Sequence, residues 1–239
     1  MPHDYAIIVP AYNEEVQLAV TLPAMRRAMA EMTERGQLIV VDNNSTDATS
    51  QIAAGHDTRV VFEPINQISR ARNAGAAAAD AGVLIFIDAD TTPDAALIRE
   101  ALDAIKSGRY CGGGARVVMS PRPGLAVRMV LGFWNTVSRL FKLPAGCFFV
   151  CERDGFDAVG GFSEQVYASE EIWLARQLKK WGRKEGKRLT ILPGPITTSN
   201  RKTDNPARVL GWVLFLTLCP IAVRYRRLCG YWYKRTEHA

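Results

Sequence analysis

Two aspartates, Asp88 and Asp90, directly follow a short apolar run and are separated only by Ala89. Two carboxylates that leave the end of a strand so close together repel each other unless a cation joins them. A hard divalent ion, Mg²⁺ or Mn²⁺, is held in proteins by one or two carboxylates and completed by phosphate oxygens. The pair therefore indicates a site for a metal ion bound to a diphosphate, with a solvated turn as the alternative.

The elements that position this pair alternate between strands and helices. Short apolar runs rich in β-branched residues predict strands, and the stretches between them have a mostly helical rhythm. The predicted strands are 5–10, 37–41, 60–63 and 83–87, and the predicted helices are 16–29, 48–54 and 69–81. This alternation indicates an α/β fold with a Rossmann-like, doubly wound, mostly parallel sheet flanked by helices. Such sheets bind ligands at the carboxyl ends of their strands, where the polar clusters of this sequence lie.

The second half of the chain is less regular. Its predicted helices are 93–106, 125–143 and 170–181, and its predicted strands are 115–119, after a run of three glycines, and 146–151. The middle helix is expected to be amphipathic, because its apolar residues are interrupted by Arg128, Arg139 and Lys142.

Several segments resemble the ordered motifs of the family 2 glycosyltransferases, which have the GT-A fold. They are I-V-P-A-Y-N-E-E (8–15), V-V-D-N-N-S-T-D-A-T (40–49), A-R-N-A-G-A (71–76) and F-I-D-A-D (86–90), joined by G-G-F-S-E (160–164) and S-E-E-I-W-L-A-R-Q-L (169–178). The likeness covers about residues 5–200. It implies a GT-A catalytic domain over 1–205, with a nucleotide-binding half at about 1–95 and an acceptor half at about 96–205, followed by a basic, apolar helical extension over 206–239.

The resemblance also implies a role for each matched residue. The residues expected at the nucleotide-sugar are Pro10, Ala11, Tyr12 and Glu14 at the nucleoside, Asp42 at the base, Arg70 or Arg72 at the diphosphate, and Asp88 with Ala89 near the ribose. Asp42 would accept the ring N–H of the base, which fits uracil. Asp90 would ligate the metal directly, with Asp88 beside it. The alternatives are structural: a packed tyrosine ring, a helix-start aspartate and an exposed helical arginine.

Glu170 and Glu171 occupy the place where the family commonly has Glu-Asp, with the second residue as the general base. A general base takes the proton from an acceptor hydroxyl as its oxygen attacks the sugar. Glu171 is therefore the expected base and Glu170 the substitute candidate. The additional methylene of Glu171 changes the reach of its carboxylate, and a helix N-terminus that merely favours glutamate is the alternative.

The activity implied by the resemblance is inverting transfer of a sugar from a UDP- or GDP-sugar to a hydroxyl acceptor, lipid-linked or a glycan, with Mn²⁺ or Mg²⁺. A non-catalytic nucleotide-sugar-binding protein of the same fold is the competing interpretation. A Rossmann dehydrogenase is disfavoured, because the turn at 10–14 is not glycine-rich. A nucleic-acid partner is not expected, since interleaved aromatic and basic residues are lacking.

The net charge of +6 is concentrated at the C-terminal end, where residues 201–239 contain eight Lys/Arg and two Asp/Glu. Residues 209–223 carry no formal charge, but a bilayer span needs about 20 apolar residues. Peripheral contact of 206–239 with anionic membrane is the prediction. Packing on the domain, or on a second subunit in a homodimer, is the alternative. The cysteines are odd in number, five, and lack paired CxxC spacing, and the sequence starts without a basic and apolar leader. These features favour a cytoplasmic protein, peripheral on the inner face of the membrane if the extension binds there.

Overall fold

One twisted sheet of eight strands dominates the computed structural model, which describes residues 2–200 and 223–229. In chain order the strands are β1 (His3–Ala11), β2 (Gly36–Asp42), β3 (Arg59–Phe62), β4 (Ala81–Ile87), β5 (Thr91–Thr92), β6 (Tyr110–Ser120), β7 (Phe148–Glu152) and β8 (Arg188–Ser199). Across the sheet their order is β3-β2-β1-β4-β7-β6-β8-β5. Strands β3, β2, β1 and β4, adjacent in the sheet, run parallel to one another. Strand β7 is antiparallel to its neighbours β4 and β6, and β6 and β8 are parallel to each other.

Helices cover both faces of the sheet. They are α1 (Glu15–Ala30), α2 (Thr49–Ala54), α3 (Ile68–Ala78), α4 (Ala95–Lys106), α5 (Leu125–Phe141), α6 (Arg153–Ala158) and α7 (Glu170–Lys184). Alternate residues of β1 enter separate cores: Tyr5, Ile7 and Val9 pack in one with α1 and α4, while Ala6 and Ile8 pack in the other with α3 and α7. The α/β prediction of a mostly parallel sheet with helices on both faces is confirmed.

Helix α3 lies unusually close to the sheet. A Cβ atom at Gly75 would collide with the side chains of Ile8 and Val41. Only glycine permits this approach without a shift of the backbone. The close packing holds the preceding turn of the helix, which includes Arg72, against β1 and β2.

The predicted elements of the first half are all present, with shifted ends. The helix predicted to reach Ala81 ends at Ala78, and Ala81 instead begins β4. In the second half, β6 begins at Tyr110 and includes Gly112 and Gly113, where the sequence predicts only a lead-in to a strand. A Cβ atom at Gly112 would lie 2.6 Å from the Val150 carbonyl oxygen, so these glycines admit a close approach between strands.

The described part of the C-terminal extension, 223–229, packs on the domain. Val223 and Cys229 are buried with Val166 and Ala168, and a short 3-10 helix covers Arg226–Cys229. The Tyr167 backbone N–H donates to the Val223 carbonyl oxygen at 2.6 Å. The domain end at 205 and the rest of the predicted extension lie outside the described residues. The same holds for Arg201 and Lys202, either of which the family resemblance implies could close over the diphosphate. In 2–200 and 223–229, no helix has both the length and the apolar character needed to cross a membrane.

Candidate active site

The carboxyl ends of β1, β2 and β4 form one edge of the sheet. Ala11 at the end of β1 is in register with Asp42 at the end of β2, and Ile8 of β1 pairs with Phe86 of β4, two residues before Asp88. Pro10, Ala11, Asp42 and Asp88 are therefore brought to the same edge, as the sequence predicts for a parallel sheet.

The loops that follow β1 and β2 are tied together by hydrogen bonds. The Asp42 Oδ1 atom accepts the Ser45 backbone N–H at 2.9 Å, and the Glu14 backbone N–H donates to the Thr49 hydroxyl at 2.7 Å. Asn13 has a left-handed backbone with a φ of 51°, and its N–H donates to the Ser45 hydroxyl at 3.0 Å. These bonds give the predicted nucleoside residues a fixed arrangement. Within it, Tyr12 keeps part of its surface exposed, while Asp42 and Glu14 are buried.

Asp88 and Asp90 flank the buried Ala89, whose carbonyl oxygen accepts the Thr21 hydroxyl at 2.8 Å. Oδ1 of Asp90 accepts the Thr91 hydroxyl at 3.3 Å, and the Asp90 carbonyl oxygen accepts the Ser199 N–H at 3.1 Å. These bonds anchor the short segment that holds both carboxylates.

The Cys147 thiol lies near both carboxylates. Burial, followed by the charges of Asp88 and Asp90, raises the pKa of this thiol far above its usual value. Among the residues that the structure describes, no cluster of three or more His, Cys, Asp or Glu side chains suits a metal. Two carboxylates are hard oxygen donors of the kind that Mg²⁺ or Mn²⁺ prefers when phosphate oxygens complete the coordination.

Arg72 is the centre of the charged cluster. It is 1% exposed, and its guanidinium donates to Glu170 Oε1 at 2.6 Å and to Asp88 Oδ1 at 2.9 Å. It also donates to the Gly146 carbonyl oxygen at 2.8 Å and lies over the Phe162 ring at 5.2 Å from the centroid. Burial alone would lower the pKa of Arg72, but the carboxylates of Glu170, Asp88 and Glu171 outweigh burial and raise it. Arg72 therefore links the end of β4 to the start of α7.

Glu171 lies beside this cluster with part of its surface exposed. A Cβ atom at Gly146 would be 3.6 Å from the Glu171 carboxyl carbon and 3.8 Å from an Arg72 nitrogen. Burial of the carboxyl, reinforced by the charge of Glu170, raises the pKa of Glu171 to about 8. The two glutamates thus differ. Glu170 is held in a buried ion pair with Arg72, whereas the Glu171 carboxyl binds its proton more tightly than a free glutamate does.

Arg70, the other arginine of the predicted diphosphate pair, does not join this cluster. Its guanidinium pairs with Glu63 at 3.1 Å and with Glu164 at 2.7 Å. Because Arg70 and Arg72 are 200° apart around the helix, they leave α3 on different sides. The structure brings Arg72 to Asp88 and places Arg70 in a separate ion-pair group.

Sequence reasoning missed Gly146, Cys147 and Phe162 as neighbours of the predicted site. Gly146 and Phe162 both contact Arg72, and the Cys147 carbonyl oxygen accepts the Asp88 N–H at 3.3 Å. Phe162 lies within the G-G-F-S-E segment, so the motif marked its position without indicating that its ring faces a guanidinium. No local signal in the sequence indicated that the Gly146 carbonyl oxygen would accept a hydrogen bond from Arg72.

Replacing Arg72 with methionine should destabilise the fold by about 3–5 kcal/mol, because it leaves the buried Glu170 carboxylate without its partner. Chemical unfolding of the variant measures this. The matched control is Arg70→Met, two residues away on the same helix, which removes ion pairs that water already screens. Equal losses for the two variants would show that the Arg72 pairs do not hold the site together.

The sheet order, the helices on both faces and the acidic edge after β4 define a GT-A glycosyltransferase fold, and the solved structures similar to this chain have it. One is a mannosyltransferase from Pyrobaculum calidifontis in complex with GDP-Man and Mn²⁺, with a TM-score of 0.64, 19% identity, and coverage of 87% of this chain and 60% of that one. Another is glucosyl-3-phosphoglycerate synthase from Mycobacterium tuberculosis with Mn²⁺, UDP and glucosyl-3-phosphoglycerate, with a TM-score of 0.61, 20% identity, and coverage of 93% and 80%.

The sequence narrows this class to one family. The profile of glycosyl transferase family 2 matches residues 6–161, more than half of the chain, and the chain belongs to this family. An uncharacterized glycosyltransferase of Mycobacterium tuberculosis is 34% identical over 110 residues, 46% of this chain and 47% of the relative. Glycosyltransferase AglE of Haloferax volcanii is 28% identical over 184 residues, 72% of this chain and 60% of the relative. The chain therefore spans only about half to three fifths of the length of these relatives.

Proposed function

We propose that this chain is an inverting glycosyltransferase that moves a sugar from a UDP- or GDP-sugar to a hydroxyl acceptor. The observation that carries the proposal is the Arg72 cluster. One buried guanidinium joins Asp88, the expected metal ligand, to Glu170 in the first turn of α7, where Glu171 also lies. Family membership and the fold support the same conclusion.

The donor lies along the carboxyl edge of β1, β2 and β4 in this proposal. Asp42 accepts the ring N–H of the base, and the partly exposed ring of Tyr12 packs on the nucleoside, with Pro10, Ala11 and Glu14 completing the pocket. Asp88 and Asp90 would hold Mg²⁺ or Mn²⁺, which would supply charge stabilisation for the leaving diphosphate. Arg72, already paired with two carboxylates, keeps Asp88 in position by donating to its Oδ1 atom at 2.9 Å.

Glu171 is the general base of choice, since Glu170 is engaged by Arg72 at 2.6 Å while Glu171 lies beside the backbone at Gly146 with part of its surface open. The acceptor oxygen forms a bond to the anomeric carbon while the bond from that carbon to the donor's phosphate oxygen breaks. The hydroxyl proton passes to the Glu171 carboxylate, and the nucleoside diphosphate leaves. A single displacement of this kind inverts the anomeric configuration and requires no covalent enzyme intermediate.

The rate should depend on pH through Glu171. The base works only when it has lost its proton, and its pKa is raised from 4.5 to about 8. We therefore expect kcat/KM to be low near pH 6, to rise with pH and to level off above about pH 8, because kcat/KM reports groups of the free enzyme. A profile that is already flat above about pH 5 would contradict this assignment.

The same raised pKa links pH to stability. The folded chain holds the Glu171 proton more tightly than the unfolded chain, so this contribution is full below about pH 4.5 and is lost as the pH rises through about 8. Thermal unfolding between these pH values should show a decline that Glu171→Gln removes.

The acceptor is a hydroxyl of a lipid-linked molecule or of a glycan. Turnover distinguishes the enzyme from a non-catalytic nucleotide-sugar-binding protein of the same fold. Incubation of the chain with UDP- and GDP-sugars and Mn²⁺ should release the nucleoside diphosphate, slowly to water and faster once an acceptor is supplied. Tight donor binding without any metal-dependent release would favour the binding protein instead.

A further inference from the structure

Helix α5 turns its apolar face to solvent. Leu125 and Met129 are each 69% exposed, Phe133 is 73% exposed and Leu140 is 71% exposed. Their spacings of 4, 4 and 7 residues place them on one side of the helix, where Val130 and Phe141 widen the exposed stripe. An exposed apolar face of this size is typical of a surface that binds another protein or a membrane.

The opposite side of α5 attaches it firmly to the sheet. The Asn135 side chain donates to the Val117 carbonyl oxygen at 2.9 Å and accepts the Val117 N–H at 3.0 Å. Leu131 packs on the main core, and Ser138 is buried, with its hydroxyl donating to the Leu143 carbonyl oxygen at 2.6 Å. The orientation of the helix is therefore fixed by contacts, and the apolar face points away from the domain as a consequence.

The charge around this face has one sign. Residues 116–151 contain five Lys/Arg and no Asp or Glu. Arg128 and Arg139 are exposed and 11 residues apart, about three helical turns, so they line one edge of the stripe. Arg122 precedes the helix and Lys142 follows it, both exposed. An apolar stripe bordered by arginine and lysine is the pattern of helices that lie in the headgroup region of a membrane.

Charge complementarity selects the occupant. The C-terminal segment begins close by, since the Asn200 side chain donates to the Pro121 carbonyl oxygen at 3.1 Å. That segment is itself basic, because its eight Lys/Arg, against two Asp/Glu in 201–239, lie on both sides of the uncharged stretch 209–223, and a second copy of α5 would bring the same positive border. Both would place like charges together, whereas anionic lipid headgroups neutralise them. We propose that α5 docks on an anionic phospholipid bilayer, with Met129 and Phe133 entering the acyl boundary.

This docking would hold the catalytic edge close to the lipid surface. The Lys179 ammonium group of α7 donates to the Phe141 carbonyl oxygen at 2.6 Å, and five residues further along is Gly146, which lies beside Glu171. The exposed apolar face of α5 therefore lies on the same side of the domain as Glu171, where the acceptor would bind. An acceptor carried by a lipid would reach Glu171 from that side, a consequence that rests on the proposed function, while the docking itself does not.

Co-sedimentation with vesicles tests the docking without donor or metal, so the outcome is independent of sugar transfer. The native full chain should sediment with vesicles of phosphatidylglycerol and phosphatidylcholine in equal parts, and much less with phosphatidylcholine alone. The variant Met129→Ser/Phe133→Ser should lower the partition coefficient by about tenfold or more, because it removes two large apolar anchors. The matched control is Val16→Ser/Val20→Ser on α1, also four residues apart and 69% and 67% exposed.

A charge variant provides the second arm. Arg128→Gln/Arg139→Gln should weaken binding about fivefold for each charge at low salt, and the difference should shrink as salt is added. Unchanged sedimentation of Met129→Ser/Phe133→Ser would overturn the proposal and point to the C-terminal segment as the occupant of the face or as the lipid-binding element. A native dimer in light scattering that the same variant converts to a monomer would overturn it in favour of a second copy.

Discussion

Glu171→Gln should lower kcat by about 10²–10⁴-fold, the usual contribution of a general base. The glutamine cannot accept the acceptor's proton, yet it resembles the protonated glutamate that burial favours below about pH 8. Folding and donor binding should therefore be preserved. Steady-state transfer rates, combined with calorimetric titration of the nucleoside diphosphate in the presence of Mn²⁺, measure both properties.

Two further variants make the assignment specific. Glu171→Asp restores the residue that the family commonly has at this place and should keep a substantial fraction of the activity. Glu170→Gln should act mainly on stability, because it weakens the bond of 2.6 Å to Arg72. If Glu170→Gln abolished turnover in a folded protein while Glu171→Gln did not, the roles of the two glutamates would be reversed.

Asp90→Ala should abolish the metal dependence of the reaction and lower kcat/KM by about 10³-fold, as expected when a charge-stabilising cation worth several kcal/mol is lost. Binding of the nucleoside diphosphate should become insensitive to Mn²⁺. Thermal shifts with nucleotide, with and without the metal, measure the second effect, because a ligand stabilises only the state that it binds.

Asp103→Asn on the exposed side of α4 is the control for this removal of one negative charge. Its thermal shift with nucleotide and Mn²⁺ should match that of the native chain. A metal-induced shift that survives in Asp90→Ala would place the cation elsewhere and refute the role of Asp90.

The parallel half of the fold was accessible from the sequence because its signals are local. Runs such as 37–41 and 83–87 are apolar and β-branched, and the polar residues that follow them mark the carboxyl edge. Strand β8 was missed for the opposite reason. Pro193, Gly194 and Pro195 interrupt it, and its register with β6 shifts at Ala115 and Arg116 to accommodate them.

The candidate site also combines residues that local motifs predict with contacts that only the fold creates. Asp88, Asp90 and Glu171 belong to short motifs and were predicted as individual residues. The role of Arg72 as a bridge depends on Glu170, which is 98 positions away in sequence, and on Gly146, which is 74 positions away. No local pattern reports such a contact. Likewise, the periodicity of α5 predicted an amphipathic helix but not that its apolar side faces outward, since only the packing on β6 decides that.

The most direct test of the account is to locate Mn²⁺ by its paramagnetic broadening of backbone amide resonances in the full chain with UDP or GDP. The account predicts that amides from Asp88 to Thr91 and at Gly146 broaden when nucleotide and Mn²⁺ are both present, and that Asp90→Ala removes the effect. Broadening at a different part of the fold, or none while the nucleotide is demonstrably bound, would contradict the claim that this acidic edge holds an activated sugar through a metal ion.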